Sequence, residues 1–130
     1  MLLIIFLVLF LLLVQVGLPG RYLAEQVGNQ TQMGPRDDLP EPTRELARSR
    51  RALANLQETL PMFLTLAILS IVVGEQGWLS LAGAGLYLVA RTVHVVCYMR
   101  GISPWRSLSF LAGLIGVAIM VVPLVPHIWS

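Results

Sequence analysis

The sequence has no lysine, a single cysteine and two histidines, and only 12% of its 130 residues are charged. Each scarcity closes off a class of function. All nine basic residues are arginine and the net charge is only +2, so there is no basic surface of the kind that binds nucleic acid. A lone cysteine, Cys97, excludes an intrachain disulfide framework and any thiolate metal cluster, and it reads as a packing residue. His94 and His127 lie far from each other and from a second carboxylate cluster, so no metal-ligand spacing exists and no metal is expected. A nucleophile triad and a glycine loop for phosphate are missing as well.

What the chain has is apolar length. It is 56% hydrophobic with a mean hydropathy of +0.76, far from an ordinary soluble domain, and reads as an integral membrane protein. Residues 1–18 are apolar apart from Gln15, with neither a basic leader nor a small-residue cleavage pattern, so they are expected to be a retained span continuing as helix to about Val27. From Gly28 to Pro42 the composition is polar and rich in Gly, Pro and acidic residues, which predicts a long loop. Asn29-Gln30-Thr31 formally matches a glycosylation sequon, but the topology argues against that use. Thr43 is placed to cap a helix running from Arg44 through Val73, with a kink or loosened turn expected where Pro61 cannot donate to Gln57.

Gly74 to Gly77 predicts a tight turn, and Trp78 to Tyr98 a third span whose Ala82-Gly83-Ala84-Gly85 run suits close helix contact. Another turn follows, then a fourth span from about Trp105 through Val125 with Ala112 and Gly116 spaced for packing. The expected fold class is all-α, an integral membrane four-helix bundle of up-down topology forming one domain over residues 1–130. Its spans fall at about 1–24, 50–73, 78–98 and 105–125. Six arginines lie between the first two spans and two at the junction of the last two, so the positive-inside rule puts the long 25–47 loop in the cytoplasm and both termini outside.

Within this apolar chain one face stands out. Arg48, Arg51, Asn55 and Glu58 enter the second span at helical spacing and share one face, within roughly an 80° arc. Charge at bilayer depth costs on the order of 2.5–3.5 kcal/mol, so such residues face a bundle interior or a watery cavity. On the third span Arg91, His94 and Tyr98 also share a face, and Arg106 begins the fourth at the same end. Together these groups suit a small zwitterionic or anionic peptide, with Glu58 taking an ammonium and Arg51 or Arg106 taking carboxylates. Plainer readings stand beside this one. Arg48, Arg50 and Arg51 are also placed as positive-inside anchors, and Glu58 with Arg91 as a structural ion pair. His94 and Tyr98 equally suit a helix contact and an interface aromatic, while His127 reads as having no role in a site.

The run Arg48-x-x-Arg51-Ala52-x-x-Asn55-x-x-Glu58-x-x-Pro61-x-Phe63 resembles the hallmark of the MAPEG family, the membrane-associated proteins of eicosanoid and glutathione metabolism. Arg91-x-x-His94-x-x-x-Tyr98 is similar to the same helix in microsomal glutathione transferase, and Pro104-x-Arg106-Ser107 resembles the start of the last helix there. The resemblance covers essentially the whole chain. It implies a homotrimer in a membrane, with glutathione bound between subunits as a co-substrate and no other cofactor bound. Arg51, Asn55, Glu58, Arg91, His94 and Tyr98 would then hold glutathione, and Arg106 would be catalytic beside the sulfur. A free thiol has a pKa of about 8.5, and a neighbouring guanidinium favours its thiolate. The implied activity is glutathione S-transferase or peroxidase chemistry on lipophilic small molecules.

Two departures qualify the resemblance. Thr59 and His94 stand where leukotriene C synthase-like members carry tyrosines, which argues against an eicosanoid substrate. The acidic loop with Arg36-Asp37-Asp38-Leu39-Pro40 resembles a bacterial branch, which implies a bacterial inner membrane. A non-catalytic member binding another thiol or a lipid is the alternative within the family. From another class, a small proton-coupled exporter would ordinarily place its carboxylate in the first span, which here has no charge.

Overall fold

Thr43, Gly77 and Gly101 punctuate the chain where its long helices begin and end. The computed structural model describes residues 1–130. Its helices are α1 (Leu2–Val27), α2 (Asn29–Met33), α3 (Arg44–Val72), α4 (Trp78–Arg100) and α5 (Trp105–Val121), followed by a 3-10 tail over Val122–Trp129. Four helical stretches are long and apolar enough to cross a membrane, namely α1, α3, α4 and α5 with its tail. The chain is therefore an all-helical membrane bundle, as its composition requires.

Local chemistry sets the ends. The Thr43 hydroxyl accepts from Leu46 N at 3.3 Å and caps α3. Gly101 adopts a left-handed φ of 69°, and the Tyr98 and Cys97 carbonyls at the end of α4 accept from the N–H groups of Gly101 and Ile102. One expectation is corrected: the polar stretch after Gly28 is not wholly loop, since Asn29–Met33 forms the short α2. The last span covers Trp105–Trp129 and tightens from α to 3-10 geometry at Val122, because Pro123 and Pro126 lack the N–H that an α-helix would direct to a carbonyl four residues back. Pro61 does not end α3, which runs on to Val72.

Neighbouring helices are antiparallel. Asn55 meets Arg91 and Thr59 meets Tyr87, so a step forward along α3 is a step back along α4. The core draws on every long helix and includes Val8, Phe63, Ala67, Tyr87 and Met120. Phe63 and Tyr87 stack with ring centroids 4.4 Å apart, and the Tyr87 hydroxyl lies 2.9 Å from Thr59 Oγ1. Because Thr59 donates its own proton to the Leu56 carbonyl at 3.2 Å, Tyr87 is the donor in that pair. Thr59→Val should therefore strand the phenol and cost on the order of 1 kcal/mol of stability. A lower Tm in detergent with unchanged ligand affinity is the expected result, and an unchanged Tm would remove this bond from the account.

Helices α4 and α5 approach most closely. A Cβ at Gly83 would lie 2.7 Å from the Gly116 carbonyl oxygen, and one at Gly116 would lie 2.7 Å from the Gly83 carbonyl oxygen. Gly113, buried against the Arg91 side chain, rather than the half-buried Ala112, is the second small residue of α5 in this contact. This close approach brings the first turns of α5 against the last turns of α4, where the polar residues gather.

Candidate functional site

The polar residues singled out by spacing collect at the end of the bundle next to the α1–α3 connection. A cleft of about 280 Å³ there is lined by Asn55 of α3, His94 and Tyr98 of α4, and Arg106, Ser107 and Phe110 of α5. Three helices, with Asn55 thirty-nine residues from His94 in sequence, thus supply one set of amide, imidazole, phenol and guanidinium groups. A larger groove of about 580 Å³ between α1 and α4 is lined by apolar side chains and Thr92, with no ionisable group. The polar and ionisable side chains belong to the smaller cleft.

Tyr98 is the hub of the cations. The Arg106 guanidinium lies 5.1 Å from the centre of its ring and that of Arg51 lies 5.9 Å from it, both within cation–π range. His94 sits between aromatic rings, with centroids 5.6 Å from Tyr98 and 6.3 Å from Phe110. Two arginines held near one phenol, one from each flanking helix, make a locally positive wall that suits an anionic group.

Behind this wall lies Arg91, 1% exposed, whose Nη1 donates to Asn55 Oδ1 at 2.8 Å. Its Nε and Nη2, and Nδ1 of the buried His94, have no hydrogen-bond partner in the protein. A guanidinium in a dry interior is costly without a counter-charge, so the free N–H groups of Arg91 favour an acceptor or anion nearby. With Oδ1 occupied by Arg91, the Asn55 amide keeps two N–H donors for a ligand.

Of the residues read from the sequence, Asn55, His94, Tyr98 and Arg106 therefore line the cleft, Arg51 leans over its tyrosine, and Arg91 braces Asn55 from within. Glu58 stands apart. It is exposed on the outer face of α3 and makes neither an ion pair nor a side-chain hydrogen bond, so the expected Glu58–Arg91 pair is not formed. The reason is angular: three residues beyond Asn55 is a turn of about 300°, which swings the carboxylate about 60° away from the α4 contact. Arg48 is no free anchor either, since its Nη1 donates to the Met99 carbonyl at 3.2 Å. At the far end of the bundle His127 Nε2 lies 3.1 Å from Glu75 Oε2, a contact that remoteness in sequence concealed.

Phe110 and Ser107 joined the lining without having been assigned a role in advance. Helical spacing from Arg106 carries the signal for Phe110, because residues four apart share a face, whereas Ser107 follows Arg106 directly in the chain. Thr59 faces the core rather than the cleft, where its hydroxyl meets that of Tyr87. In comparisons with known proteins, residues 1–125 match the model of the MAPEG family. No curated protein and no solved structure matches the chain.

Proposed function

Because this chain belongs to the MAPEG family, we propose that the cleft at the loop end of its bundle binds glutathione and ionises its thiol for attack on lipophilic electrophiles or hydroperoxides. The observation that carries this reading is the convergence of Asn55, His94, Tyr98 and Arg106 on one cleft with Arg51 leaning over the same tyrosine. A tripeptide with two carboxylates, an ammonium and a thiol needs such donors and positive charge, together with a carboxylate that the cleft itself does not contain. In this reading Arg51, Asn55, Arg91, His94 and Tyr98 hold the peptide, and Arg106 stands beside the sulfur. Lowering the thiol pKa by about two units would stabilise the thiolate by roughly 2.7 kcal/mol. The thiolate then forms a carbon–sulfur bond with an electrophile, either displacing a leaving group or adding to a double bond or strained ring whose anion takes up a proton, or two thiols become a disulfide while a hydroperoxide is reduced to alcohol and water. Glutathione is the co-substrate, and the scheme requires no metal or bound organic cofactor.

The site is completed in this reading by a second copy of the chain within a homotrimer. Two features support that. Arg51 and Glu58 are exposed on the surface of a helix suited to span a membrane, where lipid would meet charge. The cleft of about 280 Å³ is also at the small end for a ligand of this size. In this reading the distribution of arginine favours a cytoplasmic 25–47 loop with both termini outside, and the resemblance of that loop to a bacterial branch implies a bacterial inner membrane.

Glu58 tests the binding half of the proposal. It takes the ligand ammonium across the subunit boundary, a charge-assisted contact worth about 1.5–3 kcal/mol. Titration calorimetry of Glu58→Gln should show glutathione bound roughly ten- to a hundredfold more weakly than by the wild type. Unaltered affinity in the variant would assign Glu58 to structure instead.

A further inference from the structure

We infer that Arg48 is a positioning residue whose guanidinium pins the α4–α5 turn and so sets where Arg106 stands over Tyr98. The inference rests on the reading of Arg106 as the partner of the thiolate. Its geometry is local. Arg48 is half-buried near the start of α3, and its Nη1 donates to the Met99 carbonyl at 3.2 Å. That carbonyl belongs to the last turn of α4, where helical acceptors lack partners of their own and a cation is favoured.

Gly101 makes the contact possible. A Cβ there would come within 2.6 Å of Arg48 Nη2 and 3.0 Å of its Cζ, so the guanidinium lies directly on bare backbone. The same residue turns the chain at φ 69°, and Ile102 N closes the turn on the Cys97 carbonyl at 2.8 Å. The Ile102 carbonyl in turn accepts from Arg106 N at 3.3 Å as α5 begins. Arg48 is thus linked to the backbone of Arg106 through a hydrogen bond at each end of Met99–Ile102. Tyr98, over which Arg106 lies at 5.1 Å, is the residue just before the pinned carbonyl. One side chain therefore holds both members of the Tyr98–Arg106 pair.

A plain membrane anchor would do none of this. Arg50, two residues on, carries the same charge but is exposed, and it provides a charge-matched control. The experiment uses the full-length protein with Trp78→Phe and Trp129→Phe, which leaves Trp105, beside Arg106, as the only tryptophan. Fluorescence anisotropy without ligand reports the mobility of the turn. Ultraviolet titration with saturating glutathione across pH reports the midpoint for thiolate formation.

Arg48→Ala should lower the anisotropy and raise the midpoint by about one pH unit, while Arg50→Ala leaves both unchanged. Arg48→Met, which keeps much of the side-chain volume but has no donor for the Met99 carbonyl, should reproduce both effects if Arg48→Ala proves unstable. Equal values in Arg48→Ala and Arg50→Ala would overturn the inference, as would a fall in anisotropy with an unmoved midpoint. Absence of any thiolate signal in the wild type, with the anisotropy still falling in Arg48→Ala, would fail the glutathione reading while upholding the hold of Arg48 on the turn that carries Arg106.

Discussion

Arg106→Ala is expected to cut turnover by about 10²–10³-fold while leaving glutathione affinity close to that of the wild type. The size follows from removing one preorganised group aimed at a charge that forms during the reaction. The split between binding and turnover follows from where Arg106 sits. It lies over Tyr98 at the start of α5, whereas Arg51, Asn55 and Arg91, on α3 and α4, supply the other polar donors. In kinetic terms kcat and kcat/KM should fall together with KM little changed, the signature of an interaction made chiefly with the ionised sulfur. Arg106→Lys should recover only part of the loss, because an ammonium is a more strongly hydrated point charge without the planar face that rests on Tyr98. Turnover in Arg106→Ala equal to the wild type would remove Arg106 from the chemistry.

The largest structural effect is expected at Gly116. Its Cβ, if present, would meet the Gly83 carbonyl oxygen at 2.7 Å and the Tyr87 amide nitrogen at 2.9 Å. Both are backbone atoms of a helix and cannot rotate away. Gly116→Ala must therefore push α5 off α4, at a cost of about 1–3 kcal/mol and with dispersal of the cleft that these two helices share. Gly85→Ala is the comparison. Nothing lies within 4 Å of a Cβ there, so the better helix propensity of alanine should leave stability unchanged or raise it by up to about 1 kcal/mol. Opposite signs for two glycine-to-alanine changes in one bundle would be read in Tm and in the fraction of monodisperse protein after detergent extraction. A Gly116→Ala protein as stable as the wild type would contradict the close approach.

The long helices were legible because apolar length and arginine placement leave few alternatives for a chain of this composition. So was most of the cleft. Asn55, His94, Tyr98 and Arg106 each combine a polar group with a register that only one helix face satisfies, and antiparallel packing brings those faces to one end. What spacing could not settle was angle and partner. Asn55 and Glu58 lie on the same broad face, yet only the first is turned to α4, so Arg91 is bonded to an amide and not to a carboxylate. Thr59 stood out in the sequence only for the tyrosine it replaces, and nothing in its spacing announced the hydroxyl contact with Tyr87 on α4. The short α2 has too few residues to announce a period, and the 3-10 tail depends on two prolines whose effect on the helix is geometric rather than compositional.

Ultraviolet difference spectroscopy of the purified, detergent-solubilised wild type, titrated with glutathione at neutral pH, tests the central claim most directly. A saturable thiolate absorbance is the expected result, because the positive wall around Tyr98 would hold a bound sulfur ionised where free thiol is mostly protonated. A folded, oligomeric protein that gives no such signal would contradict it, leaving a MAPEG-family membrane bundle whose cleft serves a different ligand.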